Sequence, residues 1–375
     1  MEYRQLDKLG IKTSLLGFGC MRFPKHRDGS INYKKAEELI DKAYENGVNY
    51  YDTAYVYHSG ESENFIGSVL DKYERSTYYL ATKLPCWMIK SVDDAKKIFK
   101  EQLERLHKDY IDFYLLHSLD RESFDKMVSL GILELMDQLK AEGKIRYIGF
   151  SFHDEYDAFE YILKFRDWDF CQIQLNYMDT ELQAGMKGYE LTEELNVPLI
   201  IMEPVKGGTL AKLPQGVTKY LTAVTPENST ASWALRWVAS LPNVKVILSG
   251  MSNMKQVDDN LSTFGEFKKL TEKEQQAVTE AVKVLQKRMK NGCTGCSYCM
   301  PCPAGVDIPS NFRIWNDYGM YHNPNVTKWF WANDLNDKSK AKQCIDCGKC
   351  ETLCPQRIQI RNDLKALQNE LDLIK

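Results

Sequence analysis

The sequence predicts an α/β fold in which a closed (β/α)8 TIM barrel is followed by a small cysteine-rich domain. Between residues 15 and 250, a short apolar segment followed by a longer segment with apolar residues three and four positions apart recurs eight times. Strands that alternate with helices indicate a parallel sheet, and eight repeats favour closure into a barrel. Eight of the eleven cysteines lie beyond residue 290. A length of 375 residues suits one large domain and one small one.

The order of elements starts with a hairpin, Tyr3–Leu6 and Ile11–Ser14, which surrounds a turn ending at Gly10. The predicted barrel strands are 15–20, 50–53, 78–83, 113–117, 147–151, 171–175, 199–202 and 244–248. Helical patterns stand between them, among others over 34–46, 91–108, 132–141 and 232–240. Gly47, Gly143 and Pro242 lie where these helices should stop.

An open doubly wound sheet is the alternative to a barrel. Such a sheet would carry a Gly-x-Gly-x-x-Gly turn after its first strand. Here Gly17 and Gly19 are followed by Arg22 at the place of the third glycine, so this fingerprint is missing. The sequence therefore favours the barrel.

Two domains are expected, with the barrel over 1–285 and the second domain over 286–375. Thr271-x-x-Glu274 is a capping box, which predicts a connecting helix that runs to about Lys290. An aromatic-rich stretch follows in the second domain. It is expected to pack this domain against the barrel or to form a docking surface for a partner, and it contains Trp315, Trp329, Phe330 and Trp331.

The cysteines form two runs with the spacing of a two-cluster ferredoxin. These runs are Cys293-x2-Cys296-x2-Cys299-x2-Cys302-Pro303 and Cys344-x2-Cys347-x2-Cys350-x3-Cys354-Pro355. In such pairs the last, proline-flanked cysteine of each run binds the cluster of the other run. One predicted [4Fe-4S] cluster is therefore held by Cys293, Cys296, Cys299 and Cys354, and the other by Cys344, Cys347, Cys350 and Cys302. The first run closes after two residues where three are usual.

Zinc ribbons and disulfides are the alternatives for these cysteines. Zinc ribbons also use paired Cys-x2-Cys motifs, but they need neither four cysteines per run nor a proline after the last. Disulfides would suit a small secreted chain, whereas this sequence starts MEYRQLDK with no apolar signal segment. The spacing thus favours two [4Fe-4S] clusters.

Charge and hydropathy exclude several classes of function. The formal net charge is -3, which gives no electrostatic reason to expect nucleic acid or an anionic membrane as a partner. No apolar run approaches the roughly 18 residues that span a bilayer. Because thiolate ligands require reducing conditions, a cytoplasmic protein is expected.

Four polar residues follow predicted strand ends, where barrel enzymes carry their function. Asp52, Lys83 and His117 end the second, third and fourth strands, and Tyr57 lies in the loop after the second. Asp52 and Lys83 should pair, because each would be costly to bury alone. A cation beside a phenol lowers the pKa of the phenol, so Tyr57 becomes a candidate proton donor to a developing alkoxide. A nearby histidine can orient the same oxygen, and the set suits carbonyl reduction by hydride.

These residues carry a resemblance to the aldo/keto reductase family. The pattern Asp52-Thr53-Ala54-x-x-Tyr57, followed by Ser62-Glu63, Thr82-Lys83 and Leu116-His117, is similar to that of the family over about residues 1–270. The resemblance implies that Tyr57 is the general acid/base, that Lys83 and Asp52 tune it, and that His117 orients the carbonyl. With the cysteine runs, the chain resembles the subset with a C-terminal ferredoxin-like domain.

The resemblance also implies a nicotinamide cofactor, NADPH or NADH, extended across the top of the barrel. Ser151 and Gln172 resemble the family residues that hold the carboxamide, and the loop from Glu203 to Gly208 resembles the pyrophosphate loop. The full set of implied cofactor contacts is Ser151, Gln172, Met202, Pro204, Gly207, Gly250, Gln256, Asp259 and Asn260.

Departures from the family pattern leave the cofactor preference open. His58 follows Tyr57 where glycine is common, and Met202 replaces a tyrosine that stacks on the nicotinamide. Gly250 and Gln256 occupy the places of cations that bind the 2′-phosphate in many members.

The substrate is expected to be a small carbonyl compound. Phe23, Tyr55 and Trp87 lie in the loops after the first three strands and are predicted to line its pocket. The remaining cysteines are expected to be small buried hydrophobes, and these are Cys20, Cys86 and Cys171.

Three functional hypotheses remain, since a nicotinamide transfers two electrons as hydride and each cluster transfers one. In the first, the chain reduces an aldehyde or ketone with NAD(P)H while the clusters stabilise the fold or dock a partner. In the second, a redox partner protein feeds single electrons through the clusters to a substrate near Tyr57. In the third, the chain is a non-catalytic sensor of nicotinamide and cluster redox state.

Overall fold

The computed structural model describes residues 1–374 and contains a closed barrel of eight parallel strands, which confirms the predicted fold class. A two-stranded antiparallel hairpin, β1 (Tyr3–Leu6) and β2 (Ile11–Ser14), precedes it as predicted. The barrel strands are β3 (Leu16–Gly19), β4 (Tyr50–Asp52), β5 (Tyr79–Pro85), β6 (Ile111–Leu119), β7 (Ile145–Phe152), β8 (Phe170–Gln174), β9 (Leu199–Met202) and β10 (Val244–Ser249). They follow one another around the barrel in chain order, and β10 closes it by pairing with β3.

Ten α-helices precede residue 270. They are α1 (Tyr33–Glu45), α2 (Glu61–Leu70), α3 (Val92–Leu106), α4 (Arg121–Ser129), α5 (Ile132–Ala141), α6 (Tyr156–Phe165), α7 (Gly185–Glu194), α8 (Gln215–Thr222), α9 (Thr230–Ala239) and α10 (Met254–Gly265). Side-chain caps explain several of the starts: Asn32, Ser91 and Asn253 each accept a backbone N–H of the first turn of α1, α3 and α10.

Large side chains fill the inside of the barrel. Every second residue of a strand points inward, and the inward set forms one buried cluster. It contains Tyr50, Ala81, Phe113, Leu115, Phe170, Ile200, Val246 and Leu248, together with Leu6 of the hairpin. Because this interior is packed, polar groups can gather only at its ends.

The chain divides into two compact units. The first comprises Met1–Gly207 and Ala231–Thr271, and the second comprises Gly208–Thr230 and the chain from Glu272 onward. The predicted domain boundary at residue 285 stays a prediction. The predicted connecting helix is α11 (Glu272–Gln286), which ends four residues before the expected Lys290. In the second unit α11 packs against α8.

The regular elements of the second unit are helices, and no strand occurs among its described residues. Besides α8 and α11 it contains α12 (Ile308–Tyr321), α13 (Pro324–Asn333), α14 (Lys349–Leu353) and α15 (Ile360–Asp372). Apolar residues of α12 and α15 form its core, among them Phe312, Leu364 and Leu367. Six of the eight predicted cluster cysteines pack against this core, namely Cys293, Cys299, Cys302, Cys344, Cys350 and Cys354.

The aromatic-rich stretch builds the core of the second unit itself. Trp315 is buried, and its indole N–H donates to Glu370 Oε2 at 2.7 Å. Phe330 and Trp331 pack against the same core, whereas Trp329 is 58% exposed. The sequence predicted that this stretch packs against the barrel or docks a partner. It did not predict packing within the second unit.

Helix length and hydropathy decide whether a helix can cross a bilayer. Among the described residues, no helix is both long and apolar enough to cross a bilayer.

Candidate functional site

The strand register places three of the four predicted catalytic residues on the inner face at the carboxyl end of the barrel. Asp52 pairs with Ala81, and Lys83 lies two residues further along β5 on the same face. Lys83 in turn pairs with Leu115, and His117 lies two residues beyond that. Each strand thus adds its polar residue directly above the apolar rows that fill the interior.

Asp52 and Lys83 form a buried ion pair, as predicted from the cost of burying either alone. The Lys83 ammonium donates to Asp52 Oδ1 at 2.7 Å and to the backbone oxygen of Thr53 at 2.7 Å. The Lys83 side chain is 1% exposed, and the Asp52 side chain is 4% exposed. The other carboxylate oxygen of Asp52 is buried and has no hydrogen-bond partner among the described residues.

Tyr57 reaches the pair from the loop after β4. Its ring centre lies 4.9 Å from Lys83 Nζ and 6.0 Å from the His117 ring, which it meets edge-on. The two residues after Tyr57 turn the chain with left-handed backbone angles, with φ of 51° at His58 and 56° at Ser59. This conformation explains why glycine suits position 58, and here the His58 ring is fixed by accepting the Phe23 N–H at 3.3 Å.

The pKa of Tyr57 moves in the opposite direction to the prediction. Burial raises the pKa of Tyr57 above its ordinary value of about 10, and the charge of Lys83 offsets this only in part. Burial acts to lower the pKa of Lys83, but Asp52 and Tyr57 outweigh it, so the pKa of Lys83 is raised. Around neutral pH the site therefore presents a protonated phenol beside an ammonium.

His117 is a neutral imidazole at this site. Burial, followed by the charges of Lys83 and His153, lowers the pKa of His117 to about 2. Its Nδ1 is buried and has no hydrogen-bond partner among the described residues. Its ring lies 5.1 Å from the ring of Trp87. A neutral imidazole keeps one N–H, which can donate to a carbonyl oxygen.

A buried polar network supports Lys83 from behind, and sequence reasoning missed it. Gln102 Nε2 donates to the backbone oxygen of Lys83 at 3.0 Å and to Glu63 Oε1 at 2.9 Å. Thr82 donates to the same carboxylate oxygen at 2.6 Å, and Tyr114 donates to Gln102 Oε1 at 2.7 Å. The available signal was Gln102 itself, a polar residue in the otherwise apolar buried stripe of α3.

Three of the implied cofactor positions meet at the ends of β7, β8 and β9. Ser151 pairs with Gln172, and its hydroxyl oxygen accepts the backbone N–H of Ser118 at 2.8 Å. Gln172 Nε2 lies 3.5 Å from the sulfur of Met202, while Gln172 Oε1 is buried and has no partner among residues 1–374. An unpartnered buried amide oxygen is costly, and the carboxamide of a nicotinamide would satisfy it.

The remaining implied cofactor positions lie in the loops after β9 and β10. Pro204 is buried and Gly207 is exposed after β9. After β10, the Gln256 side chain accepts the backbone N–H and hydroxyl of Ser252 at 2.7 and 3.0 Å. Asn260 is buried and donates to Ser249 Oγ at 2.6 Å, and the half-buried Asp259 precedes it on α10. Gly250 lies against the side chain of Arg22.

The three predicted pocket residues lie in different surroundings. Trp87 is 53% exposed beside His117 and remains a candidate wall of a substrate pocket. Phe23 is buried, and its ring contacts Phe18, Phe65 and His58 in the core. Tyr55 donates to Glu101 Oε2 at 2.6 Å, and Arg105 lies 4.1 Å from its ring centre.

Four cysteines from both runs line one pocket of the second unit. Cys293, Cys296 and Cys299 of the first run meet Cys354 of the second around an open-sided space. Apolar residues complete the wall, including Ile308, Pro309 and Phe312. These are the four ligands that the ferredoxin spacing predicts for one cluster, so the residues fit that group.

Of the other four cysteines, Cys350 lies near this pocket. Burial raises the pKa of Cys299, and Cys350 of the second run raises it further through its charge. Cys347 is exposed, as is Cys296. Within residues 1–374, no three Cys, His, Asp or Glu side chains converge on a point as the ligands of a single ion do. Ligands of a four-iron cube surround a group several ångströms across, so they need not converge.

The carboxyl end of the parallel barrel thus brings a tyrosine and a histidine next to a buried lysine–aspartate pair. The model of the Aldo/keto reductase family matches residues 15–283, and the chain belongs to this family. The model of a 4Fe-4S dicluster domain matches residues 292–358.

Relatives and a solved structure resemble about three quarters of the chain. The chain is 26% identical over 321 residues to the uncharacterized oxidoreductase YqkF of Bacillus subtilis, covering 77% of this chain and 97% of that one. It is 29% identical over 323 residues to L-galactose dehydrogenase of Arabidopsis thaliana, covering 76% and 96%. The holo form of aldo-keto reductase AKR11C1 from Bacillus halodurans superimposes with a TM-score of 0.63 at 30% identity, covering 75% and 96%.

Proposed function

We propose that this chain reduces an aldehyde or ketone to an alcohol with NADPH or NADH as the cofactor. The observation that carries the proposal is the Lys83–Asp52 pair, buried within reach of both Tyr57 and a neutral His117. The unpartnered Gln172 Oε1 and the hydroxyl of Ser151 would hold the carboxamide of the nicotinamide. A reduced nicotinamide, when bound, supplies the hydride.

Each catalytic side chain has a distinct task in this proposal. As negative charge develops on the carbonyl oxygen, Tyr57 donates its hydroxyl proton to that oxygen and becomes a phenolate. Lys83 stabilises the phenolate electrostatically, and Asp52 keeps Lys83 charged and in place. The neutral His117 donates its N–H to the same oxygen and orients it. The raised pKa of Tyr57 keeps its proton available around neutral pH.

The assembled acid–base set favours an enzyme over a non-catalytic sensor. A sensor needs a cofactor pocket, whereas a buried ion pair below a tyrosine adds nothing to binding alone and is costly to keep. We therefore place the sensor hypothesis behind the reductase.

The experiment is anaerobic oxidation of NADPH and NADH by cluster-replete protein with a panel of aldehydes, ketones and quinones. The Arabidopsis relative is named for dehydrogenation of L-galactose, so sugars with NADP⁺ or NAD⁺ join the panel in the opposite direction. Tyr57→Phe should lower the rate by about 10²–10⁴-fold, as loss of a general acid does.

Tyr33→Phe is the matched control, because Tyr33 is an exposed tyrosine whose phenol lies at the surface. Its turnover should equal that of the wild type. An unchanged rate in Tyr57→Phe would remove Tyr57 from the mechanism, and no turnover with any pair would refute the reductase.

The iron–sulfur unit supports a second proposal, exchange of single electrons with a redox partner protein. Cys296 and Cys347 are exposed, so both cluster sites would lie near the surface, where a partner can approach. Stoichiometric reduction of the clusters by NAD(P)H or by a reduced ferredoxin, timed against turnover, tests it. Cluster reduction that is slower than turnover would mean that the clusters only stabilise the fold or dock a partner. Eight thiolate ligands also require a reducing compartment, so we propose the cytoplasm.

A further inference from the structure

His58 directly follows the proposed proton donor Tyr57 and has an unfavourable backbone conformation. Its φ is 51° and its ψ is 44°, and the next residue, Ser59, has a φ of 56°. Left-handed angles bring the Cβ atom of an ordinary residue too close to its own backbone, so they cost free energy. Two such residues in succession persist only where the surrounding contacts hold them in place.

The contacts that hold His58 come from the loop after β3. The Phe23 backbone N–H donates to His58 Nε2 at 3.3 Å. The two rings also stack, with their centres 5.6 Å apart and an angle of 29° between their planes. His58 therefore joins the loop after β4, which carries Tyr57, to the loop after β3.

Phe23 gives His58 a rigid anchor. The Phe23 residue is 3% exposed and belongs to the apolar core that includes strands and helices of the barrel. Its ring centre lies 6.0 Å from that of Phe18 on β3 and 4.7 Å from that of Phe65 on α2. The contact with Phe23 therefore restrains His58 against this core.

The imidazole of His58 must be neutral to accept this N–H, since a protonated ring only donates. Burial, followed by the charge of Lys25, lowers the pKa of His58. The charge of Glu61 and the backbone oxygen of Met21 act in the opposite direction, but they are outweighed. Around neutral pH the ring is thus able to accept the Phe23 N–H.

We propose that His58 is a positioning residue, which holds the phenol of Tyr57 beside Lys83 and His117 through its contact with Phe23. This inference rests on the proposed function, since the position of the phenol matters only if Tyr57 donates a proton. A glycine at position 58 would adopt the left-handed angles without cost, but it would leave the turn without its anchor. The histidine accepts backbone strain and in return fixes the residue before it.

The test compares the wild type with His58→Gly in the full cluster-replete chain, with a carbonyl and a cofactor that the wild type turns over. The kcat should fall about 10- to 100-fold, because a misplacement of about 1 Å can cost that much in rate. The Kd of the cofactor should stay at the wild-type value, since the inference gives His58 no contact with it. His58→Gln should recover part of kcat, because its amide oxygen can accept the same N–H.

Ser59→Gly is the matched control, because Ser59 is exposed and has the same left-handed backbone but does not carry the anchor. This variant relieves backbone strain and keeps His58, so its kcat should equal that of the wild type. A merely structural His58 would lower thermal stability in His58→Gly without a change in kcat.

Hydrogen exchange measures the contact itself. In His58→Gly the amide of Phe23 loses its acceptor, and the turn that the Tyr57 N–H closes on the Ala54 oxygen at 3.1 Å should loosen. Both amides should therefore exchange faster than in the wild type. In Ser59→Gly both should exchange at the wild-type rate.

The outcomes separate this inference from the proposed function. Wild-type kcat in His58→Gly overturns the inference while the proposed function stands. A lower kcat with unchanged exchange also overturns it, because His58 would then act on the reactants directly. If the wild type reduces no carbonyl, the proposed function fails and this inference falls with it.

Discussion

The barrel site and the cysteine site of this chain are built in opposite ways. At the barrel site Lys83 and Asp52 are buried and pair with each other, and Lys83 also donates to the backbone of Thr53. Six cysteines of the two runs are half-buried, and the other two, Cys296 and Cys347, are exposed. The barrel site is therefore organised by its own strands, whereas the cysteine site depends on the group that it would bind.

The two sites are also held in place by different contacts. The register of parallel strands fixes the distance between Asp52 and Lys83 to within the flexibility of one side chain. Behind them, the Gln102 and Glu63 network holds the backbone of Lys83. The cysteine pocket is backed mainly by apolar contacts to Ile308 and Phe312. Removal of one group should therefore have local effects in the barrel and global effects in the second unit.

The largest effect is expected from removal of a cluster ligand. Cys354→Ala and Cys296→Ala lie in different runs but line the same pocket, so each should lose the same cluster and about half the iron. Cys302→Ala and Cys347→Ala should lose the other cluster. Because ligand binding is coupled to folding, the helices of the second unit should lose protection in hydrogen exchange. Iron analysis and electron paramagnetic resonance of the reduced variants measure this.

Cys171→Ala provides the control for these variants, since Cys171 is buried in β8 and belongs to neither run. Its iron content should equal that of the wild type. If Cys354→Ala loses the same cluster as Cys347→Ala, each run serves its own cluster and the crossed assignment is wrong.

A smaller but still large effect is expected from Lys83→Met. The Asp52 carboxylate would remain buried without its counter-charge, which costs about 3–5 kcal/mol of stability when one partner of a buried pair is removed. The double variant Asp52→Leu/Lys83→Met should recover much of this stability, because no buried charge is left. Urea unfolding of both variants measures the free energies, and NADPH oxidation measures turnover.

Turnover should stay low in both Lys83 variants, since the phenolate of Tyr57 would lack its cation. Wild-type turnover in the double variant would show that the pair serves folding alone. Equal stability of Lys83→Met and the wild type would mean that Asp52 becomes neutral at no cost.

The smallest effect concerns pH. The folded chain holds the pKa of His117 at about 2, against an ordinary value near 6.5 in the unfolded chain. Below about pH 6.5 the unfolded chain binds a proton that the folded chain does not, so stability is full above that pH and declines as pH falls. The slope from this residue is at most about 1.4 kcal/mol per pH unit. Urea midpoints at pH 5 and pH 7 measure it.

His117→Asn should reduce that slope, while His26→Asn, a change at an exposed loop residue, should leave it as it is. Some slope should remain in His117→Asn, because burial also lowers the pKa of His153 and His58. An undiminished slope in His117→Asn would mean that the imidazole is protonated in the folded chain or is reached by water.

The architecture was predictable because the hydrophobic period marks strands and helices almost to the residue. Prediction and structure agree on β9 and α5, and they differ by one or two residues at most other ends. The polar ends of β4, β5 and β6 were predictable too, since function in barrels lies at the carboxyl ends of strands. The crossed use of Cys354 followed from ferredoxin spacing, and the pocket lining agrees with it.

What escaped prediction depends on burial and on contacts between distant parts of the chain. Proximity of Lys83 to Tyr57 was foreseen, but the net direction of the pKa of Tyr57 was not, because a sequence does not show how dry the phenol is. Arg22 counted only as a broken glycine fingerprint, since Gly250, on which it lies, belongs to the opposite end of the barrel sequence. Gln102 looked like an ordinary helix residue until its four buried hydrogen bonds were known.

The shared cysteine pocket also affects when its ligands become available during translation. Cys299 leaves the ribosome 55 positions before Cys354, and the pocket needs both. During that interval three thiols of the first run lack the fourth ligand, and they can be oxidised or can bind the wrong metal. If this pocket takes its cluster as predicted, iron delivery follows translation past Cys354, and a shortage of delivery would leave finished barrels attached to unfinished second units.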